Sequence, residues 1–339
     1  MRILIVGNPE ATHVGGHFLA AGRGREEDAV SLLSTDGAFK APRLIRSLCW
    51  RLLGHRPPRL GAFGKRLLRR CEQERPDLVL TTGLAPLSRE TLTSLRRMKI
   101  TLACFLTDDP WNSAHHAPWF LKGLNLYDHL FTPRHANEPE LRALAHPAVH
   151  YLPFAYAPEI HFPPAAADPP LASAGHQKSV LFVGGADEER IQVMKGLLAG
   201  RIPIDLWGGY WDRRPGLQAF AHGHAGPAAF RRLVSSAAVN LCLVRRANRD
   251  GHSMRTFELP AIGGCMLVED TEDHRSLFGP DGECVRYFTT QEQLEQQARS
   301  LLASPGERQA LAGAVHEKIC RRGRHTYADR LQAVVDHCY

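Results

Sequence analysis

The feature that most restricts the fold of this chain is a pair of series of short apolar segments, separated by stretches of helix length. The first series is "RILIVG" (2–7), "DLVLTTG" (77–83), "ITLACFL" (100–106) and "DHLFTP" (128–133). The second is "SVLFVGG" (179–185), "IPIDLWGG" (202–209), "AVNLCLV" (238–244), "CMLVED" (265–270) and "CVRYF" (284–288). Such alternation is typical of βαβ units around a parallel sheet. We predict an α/β chain with two Rossmann-like, doubly wound domains.

A segment rich in proline and alanine, residues 156–178, separates the two series and is predicted to be a linker. The two predicted domains are then residues 1–155 and 179–322. A division into two domains agrees with the length of 339 residues, because a single hydrophobic core rarely extends over so long a chain. The residues from 291 onward predict three helices broken near Pro305 and Gly323. The last helix, in residues 323–339, could cross back and pack on the first domain. Two such domains facing each other would form a ligand cleft at the carboxyl ends of their strands.

Composition narrows the class of protein. No apolar run approaches the ~18 residues of a membrane span, and the amino-terminal apolar stretch is too short for the core of a signal peptide. We therefore expect a cytoplasmic protein. The eight cysteines contain no C-x-x-C pair and the 18 histidines contain no H-E-x-x-H motif, so buried thiols are expected and no metal is expected.

The charge of the chain is concentrated in one segment. The formal net charge is +7, and no acidic residue occurs between Asp36 and Glu72. Ten basic residues and several leucines alternate there, so residues 40–70 could lie on an anionic surface, which would make the protein peripheral at the inner membrane face. The alternative is a helix packed on the first domain with its arginines in solvent.

The segment "DGHSMRTFELPAIGG" (250–264) carries most of the predicted binding chemistry. Ser253 is a good helix N-cap, and the first helical turn with Arg255 would suit a phosphate. Glu258 could accept hydrogen bonds from vicinal hydroxyls such as those of a ribose, and Asp250 from a sugar. Pro260 predicts that the helix is short or bent. The alternative is that Arg255 and Glu258 only pair with each other.

The carboxyl-terminal half resembles a known family. The stretches "SVLFVGGADEERIQVMKGLLAGRIPIDLWGGYW", "RTFELPAIGGCMLVEDTEDHRSLFGPDGECVRYF" and "RHTYADR" are similar to CgeB-like (spore-maturation) glycosyltransferases, a branch of the group 1 glycosyltransferases with the GT-B fold. This resemblance implies metal-independent transfer of a sugar from a nucleotide-sugar co-substrate, without another cofactor. The larger group carries a Glu-x7-Glu motif. Asp250 and Glu258 have its spacing, with aspartate in place of the first glutamate.

The same resemblance adds a further set of donor-binding candidates, taken from the turns after two predicted strands and from the loop before the helix. Gly184 and Gly185 would allow close approach of a ligand, and Arg190 would either reach the diphosphate or pair with Asp187 or Glu188. Trp207 would either stack on the base or pack in the core. The remaining candidates are Gly208, Gly251 and His252.

The acceptor side is sought in the first domain. His13 and His17 follow the first strand, and a histidine there could act as a general base. Asp108 and Asp109, at the end of "ITLACFL" and its following turn, could orient that histidine or act as the base, or merely begin a turn before Pro110. The sequence does not distinguish inversion from retention, and the acceptor (protein, glycan or small molecule) stays open.

Two other functions are compatible with the sequence. A nucleotide-sugar epimerase of the same fold would use the same donor motif without an acceptor groove. The alternative of a non-catalytic module that binds membranes or nucleic acid is supported only by the basic segment. The sequence contains no known nucleic-acid-binding motif, so nucleic acid is not favoured as a partner. The resemblance makes a glycosyltransferase the leading hypothesis.

Overall fold

A computed structural model describes residues 1–114, 116–165 and 178–339. These residues form two compact units. Unit 1 consists of Met1–Pro153, Arg246–Asp250 and Tyr327–Tyr339, and unit 2 consists of Phe154–Arg245 and Gly251–Thr326. Residues 154–165 of the chain thus already belong to unit 2. The rest of the predicted linker up to residue 177 lies outside the described residues.

Unit 1 is built on a six-stranded parallel sheet in the order β2-β1-β3-β4-β5-β6. The strands are β1 (Arg2–Gly7), β2 (Ala29–Ser34), β3 (Leu78–Thr82), β4 (Thr101–Phe105), β5 (His129–Thr132) and β6 (Ala148–Tyr151). The helices before β6 are α1 (Val14–Arg23), α2 (Asp36–Phe39), α3 (Arg43–Leu52), α4 (Leu60–Glu74), α5 (Arg89–Arg97), α6 (Pro118–Leu121) and α7 (Glu138–Arg142).

Unit 2 is built on a five-stranded parallel sheet in the order β11-β10-β9-β7-β8. The strands are β7 (Val180–Val183), β8 (Ile204–Trp207), β9 (Val239–Cys242), β10 (Met266–Glu269) and β11 (Arg286–Phe288). The helices are α8 (Glu188–Ala199), α9 (Pro227–Ser236), α10 (Arg255–Ile262), α11 (Glu272–Phe278), α12 (Gln291–Ala303) and α13 (Pro305–His316), followed by a π-helical segment, Glu317–Arg322.

All nine strands predicted from the apolar runs are present, and the α/β class with two Rossmann-like sheets is confirmed. The prediction missed β2 and β6. These are the two edge strands of the unit 1 sheet, and most of their residues are half-buried or exposed. An edge strand has less core to cover, so its sequence carries a weaker apolar signal.

The carboxyl-terminal part forms the three predicted helices. Pro305 is the first residue of α13, where a missing N–H costs nothing, and Gly323 follows the π-helical segment. The last helix, α14 (Tyr327–Cys338), belongs to unit 1, where it packs on α1, β4 and β5. Among the described residues, no helix has the length and apolar character needed to cross a membrane.

The two sheets share one topological feature. In unit 1 the chain leaves β1 for β2 on one side and reaches β3 on the other, and in unit 2 β7 is flanked in the same way by β8 and β9. At such a switch point the connections leave the sheet in opposite directions, which opens a crevice at the carboxyl ends of the strands. By this rule, a ligand-binding site is expected at the residues that follow β1 and β3 in unit 1 and at those that follow β7 and β9 in unit 2.

Candidate functional site

The loops that follow β7 and β8 pack backbone against backbone. The N–H of Gly184 donates to the carbonyl oxygen of Trp207 at 2.8 Å. Gly208 has φ +129°, and a Cβ atom there would lie 2.3 Å from the carbonyl oxygen of Gly184, so this position requires glycine. At Gly185 a Cβ atom would meet only the carbonyl oxygen of Gly209, at 3.9 Å. The turn after β7 is therefore fixed on one side and open on the other.

Three arginines gather at this edge of the unit 2 sheet. Nη1 of Arg190 on α8 lies 3.4 Å from Oδ2 of Asp187, and Nε of Arg245, after β9, lies 3.8 Å from the same oxygen. Nε of Arg255 donates to the carbonyl oxygen of Val183 at the end of β7, at 3.0 Å. Burial lowers the pKa of Arg255 to about 10, and the neighbouring Arg190 charge acts in the same direction. Clustered guanidinium groups of this kind suit an oxyanion such as a diphosphate.

Glu258 lies one turn into α10, with 2% of its surface exposed. One carboxylate oxygen pairs with Nη1 of Arg255, and Oε1 lies 3.6 Å from Nε2 of His161. The N–H of Ala157 donates to Nδ1 of His161 at 3.0 Å, which leaves the ring proton on Nε2, facing the carboxylate. The Arg255–Glu258 pair that the sequence offered as an alternative is thus present, and it fixes the carboxylate beside the arginine cluster.

The start of α10 differs from the prediction. Ser253 does not cap the helix, since the residue before α10 is Met254 and no side chain caps it. Instead, the N–H of Ser253 donates to Oγ1 of Thr256 at 3.0 Å. The N–H of Thr256 donates in turn to the carbonyl oxygen of Ser253 at 3.1 Å. The prediction of a Ser253 cap is wrong: no side chain accepts an amide of the first turn, and the Ser253 hydroxyl lies 3.9 Å from the Cys242 thiol instead.

A buried histidine ties this turn to the next strand. Nε2 of His274 lies 2.9 Å from Oγ1 of Thr256, and its Nδ1 lies 2.7 Å from the carbonyl oxygen of Glu269, the last residue of β10. Burial lowers the pKa of His274 to about 4, so the ring is neutral near pH 7. It therefore donates from Nδ1 to Glu269 and accepts on Nε2 from the Thr256 hydroxyl, which fixes the start of α10 on the sheet.

Gly251 and His252 hold the loop ahead of α10. The Thr271 hydroxyl donates to the carbonyl oxygen of Gly251 at 2.6 Å. Nε2 of His252 accepts the N–H of Phe154 at 3.2 Å, and Nδ1 lies 2.8 Å from Oδ2 of Asp273. Both ring nitrogens of this fully buried histidine are thus engaged within unit 2. These contacts fix the loop ahead of α10, and the role of His252 in donor binding stays a prediction.

Trp207 ends β8 with an aromatic neighbour. Its half-buried indole stacks on His222 with ring centroids 5.0 Å apart. Nε2 of His222 lies 3.1 Å from Oδ1 of Asp205, which orients the imidazole. This pair forms a flat aromatic surface beside Gly208.

In unit 1, the candidate carboxylates Asp108 and Asp109 contact the segment Arg246–Asp250. Oδ1 of Asp108 accepts from the Asn248 side chain at 3.2 Å. Oδ2 of the buried Asp109 accepts from Nε of Arg249 at 2.6 Å, while Oδ1 accepts the N–H of Trp111 at 2.9 Å. Asp109 thus begins a turn, as the alternative prediction had it, and is also half of an ion pair.

Asp250 is paired in the same segment of unit 1. It accepts from Nε of Arg134, and both side chains are buried, with 7% and 2% exposed. Nη2 of Arg134 also donates to the carbonyl oxygen of Thr107 at 2.7 Å. The spacing of eight residues between Asp250 and Glu258 therefore does not bring the two acids into one unit: Asp250 belongs to unit 1, and Glu258 to unit 2.

The two candidate histidines after β1 lie in contrasting environments. His17 on α1 is fully buried, and its ring stacks on Tyr327 of α14 with centroids 4.6 Å apart. His13 is half-exposed, with Nε2 3.4 Å from Oε2 of Glu10. His17 is therefore part of the α1–α14 packing, and of the two only His13 is accessible to solvent.

Among the predicted residues, the edge of unit 2 combines Gly184, Gly185, Arg190, Trp207, Gly208, Arg255 and Glu258. Asp108, Asp109 and Asp250 share a hydrogen-bonded network in unit 1. The sequence analysis missed Arg134, His161 and Arg245. Arg134 and Arg245 follow the ends of β5 and β9, and this position was a usable signal, whereas His161 lies in the presumed linker. No three His, Cys, Asp or Glu side chains of the described ranges are grouped so as to hold a metal ion.

Comparisons with known proteins show which family and which solved structures the chain is similar to. Residues 189–336 match the family model described as glycosyl transferase-like. No protein of curated function matches the sequence. Among solved structures, sucrose-phosphate synthase from Thermosynechococcus elongatus is similar at 14% identity and TM-score 0.67, covering 99% of this chain and 98% of that one.

Two further structures are similar over nearly their whole length. Anabaena HepE in complex with UDP-glucose is 12% identical with TM-score 0.65, covering 99% of this chain and 100% of that one. The UDP-GlcNAc 2-epimerase from Neisseria meningitidis bound to UDP-GlcNAc is 14% identical with TM-score 0.55, covering 99% of each chain. At such identities the likeness concerns the fold: the chain has the two Rossmann-like domains of the GT-B fold and carries a glycosyltransferase-like domain.

Proposed function

We propose that this chain transfers a sugar from a nucleoside-diphosphate sugar to an acceptor, and that unit 2 binds the donor. The observation that carries this proposal is the arginine cluster at the carboxyl edge of β7 and β9, with a buried glutamate beside it. A basic group of this kind, next to a turn that is open at Gly185, offers the charge and the access that a diphosphate needs.

The residue roles follow from the geometry of unit 2. Arg190 and Arg255 bind the diphosphate and stabilise the charge that develops on it as the glycosidic bond breaks. Glu258 accepts hydrogen bonds from the ribose hydroxyls once its pair with Arg255 loosens around the ligand. The Trp207–His222 pair offers a stacking surface for the base.

We further propose that transfer needs no metal ion, because the guanidinium groups already supply positive charge at the leaving group. The CgeB-like branch is the proposed affiliation within the glycosyltransferases. The aspartate at position 250 departs from the Glu-x7-Glu motif and pairs here with Arg134. In this protein the first acid of the motif serves to anchor the loop before α10, and Glu258 keeps the ligand role.

The acceptor is proposed to be activated by unit 1. Asp108 is the preferred general base because it is only half-buried, whereas Asp109 is buried beside Arg249 and His17 is buried under Tyr327. Asp108 is half-buried at the end of the β4 loop, where a carboxylate can reach a bound hydroxyl. His13, which is accessible to solvent, is the second candidate.

The donor site can be tested by thermal unfolding with UDP, GDP, dTDP, CDP and ADP and their common sugars. A ligand at ~100 times its Kd adds ~2.7 kcal/mol to the stability of the native state, which raises the melting temperature measurably. We expect one base to give a clear shift, and Arg255→Gln to abolish it. Arg213→Gln, which removes a largely exposed arginine of the same unit, is the matched control and should retain the shift.

A nucleotide-sugar epimerase is the second candidate function, because the structural neighbours include UDP-GlcNAc 2-epimerases. The two activities differ in their need for an acceptor. Incubation with UDP-GlcNAc alone, followed by NMR of the sugar, should leave C2 unchanged if the protein is a transferase. Formation of the C2 epimer without an acceptor would replace the transferase proposal, and absence of any nucleotide-induced shift would contradict both functions.

A further inference from the structure

Helix α3 in unit 1 carries its largest apolar side chains into solvent. Leu44 is 84% exposed, Ile45 47%, Leu48 55% and Leu52 71%, and within this helix only Cys49 is buried. We call these four exposed residues the α3 stripe. An exposed single leucine is ordinary, but a contiguous group of four marks a surface that binds something apolar.

The stripe is continuous because of the helical period. Leu44, Leu48 and Leu52 are four residues apart and therefore lie above one another on one face, and Ile45 borders them. In a surface helix this face usually packs on the core. Here α3 turns it outward, so neither the fold of unit 1 nor the proposed donor site uses it.

The surroundings of the stripe are basic. Arg43, Arg46 and Arg51 lie on α3 and are exposed, and none of the three has a carboxylate partner in the described part of the chain. Arg56 and Arg59 follow the helix, and no acidic residue occurs in residues 37–71. The side chains of Arg43, Arg46 and Arg51 line a shallow pocket together with Phe39 and Trp50. An apolar face is therefore bordered by uncompensated positive charge.

We infer that α3 and its arginines form a docking surface for an anionic lipid bilayer. A helix that lies in the interface of a membrane buries its apolar face among acyl chains and presents basic groups to the phosphates. A second copy of the chain would bring the same arginines together without an acid to compensate them. Nucleic acid would satisfy the arginines, and its bases could stack on the exposed Trp50 and Phe39, but it would leave the four aliphatic side chains of the stripe in water.

Co-sedimentation with vesicles tests this surface directly. We expect the full chain to bind vesicles of phosphatidylglycerol and phosphatidylcholine in equal amounts, and to bind phosphatidylcholine alone far more weakly. Arg43→Gln, Arg46→Gln and Arg51→Gln together should lower the partition coefficient about fivefold for each arginine. The triple change Leu44→Ser, Leu48→Ser and Leu52→Ser should lower it at least about tenfold, since each leucine loses its transfer into the acyl region.

Matched controls separate this surface from general charge. Arg213→Gln, Arg321→Gln and Arg322→Gln together remove the same charge from three arginines of unit 2 that are at least 72% exposed, and should leave vesicle binding unchanged. All targeted side chains are in solvent, so the melting temperature should stay that of the wild type. The assay contains neither nucleotide nor acceptor, so its outcome is independent of the proposed transferase activity.

Four results would overturn the inference. One is equal binding to neutral and anionic vesicles, and another is a leucine triple variant that partitions like the wild type. The third is a wild-type dimer that the leucine changes convert to a monomer, with no binding to either vesicle, which would identify a second copy as the occupant. Binding to a single-stranded oligonucleotide in place of anionic vesicles would likewise reject the lipid surface.

Discussion

The two sheets have the same switch-point topology, but the carboxyl edges of the two sheets differ in the sign of their charge and in the residues that pair with the charged side chains. The edge of unit 1 is acidic, with Asp108, Asp109 and, nearby, Glu140. The segment Arg246–Asp250 of the same unit supplies partners to all three: Arg249 alone bonds both Asp109 and Glu140, each at 2.6 Å. The edge of unit 2 is basic, with three arginines and an open glycine turn.

This difference shows why the fold does not determine the function of a given edge. Charges that the chain satisfies internally stabilise a loop, whereas an excess of one charge beside open backbone can bind a ligand. Unit 1 therefore uses its edge mainly to anchor the segment that leads into α10. In unit 2, three arginines share two carboxylates, Asp187 and Glu258, and this edge is the one that we propose for an anion. The comparison can be tested by changing one residue of each edge at a time.

The largest effect is expected from Arg134→Met in unit 1. The change leaves Asp250 buried without its cation, and breaking a buried ion pair typically costs about 3–5 kcal/mol. Urea unfolding should show this loss as a lower midpoint. Arg142→Met, which breaks a pair formed by a 63% exposed arginine, should cost less than about 1 kcal/mol. Restoration of most of the stability by the double variant with Asp250→Leu would show that the unpaired charge causes the loss.

Gly208→Ala tests the backbone packing at the edge of unit 2. Its φ of +129° and the 2.3 Å approach to the carbonyl oxygen of Gly184 together predict a loss of about 3 kcal/mol. Gly216→Ala is the matched control: it also has a positive φ, +82°, but nothing lies within 4 Å of the new Cβ atom. Equal losses in the two variants, measured by thermal unfolding, would mean that strain in φ alone explains the effect.

Acid should destabilise the protein partly through His274. Its pKa is lowered from 6.5 to about 4 by burial, so the unfolded chain takes up a proton at a higher pH than the folded one. The stability that neutral His274 provides is complete above pH ~6.5 and is lost as the pH falls toward ~4, a loss of up to about 3 kcal/mol. Urea unfolding between pH 7 and 4 should show a shallower pH dependence for His274→Gln. Identical slopes for variant and wild type would exclude His274 as the source.

The same urea unfolding between pH 7 and 4 can be made on a variant of His150, which compares the acid sensitivity of unit 1 with that of unit 2. Burial and the neighbouring His337 lower the pKa of His150 in unit 1 to about 4 as well, but this ring is only half-buried. Solvent screens a half-exposed group, so His150→Gln should change the acid dependence less than His274→Gln does. A larger effect from His150 would place the acid-sensitive part of the molecule in unit 1.

The strands of both sheets could be predicted because buried parallel strands appear as continuous apolar runs. β2 and β6 could not, since edge strands bury less. The grouping of Gly184, Arg190, Arg255 and Glu258 at one edge of unit 2 could be predicted because each residue follows a strand end or lies at a helix start, and their role in donor binding stays a prediction. Contacts were missed where partners come from distant segments: His161 reaches Glu258 from nearly 100 positions away in the sequence, and Arg134 reaches Asp250 from the end of β5.

The assignment of Ser253 and Asp250 shows the limit of local patterns. A serine before a helix is a common cap, yet the Ser253 hydroxyl accepts no amide of the first turn and lies 3.9 Å from the thiol of Cys242, at the end of β9. The eight-residue spacing of Asp250 and Glu258 suggests a joint role, yet the chain changes units between Asp250 and Gly251. Neither event has a signal in the local sequence, because each depends on tertiary contacts.

The smallest effect, and the most direct comparison of the two edges, is expected from Arg190→Gln and Arg249→Gln in nucleotide binding. Arg190 shares Asp187 with Arg245, so its loss leaves two arginines for the diphosphate and should raise the Kd for the preferred nucleotide about tenfold. Arg249 belongs to the edge that unit 1 satisfies internally, and its loss should leave that Kd unchanged. Isothermal titration calorimetry of both variants distinguishes the edges: a larger loss in Arg249→Gln than in Arg190→Gln would transfer the nucleotide site to unit 1.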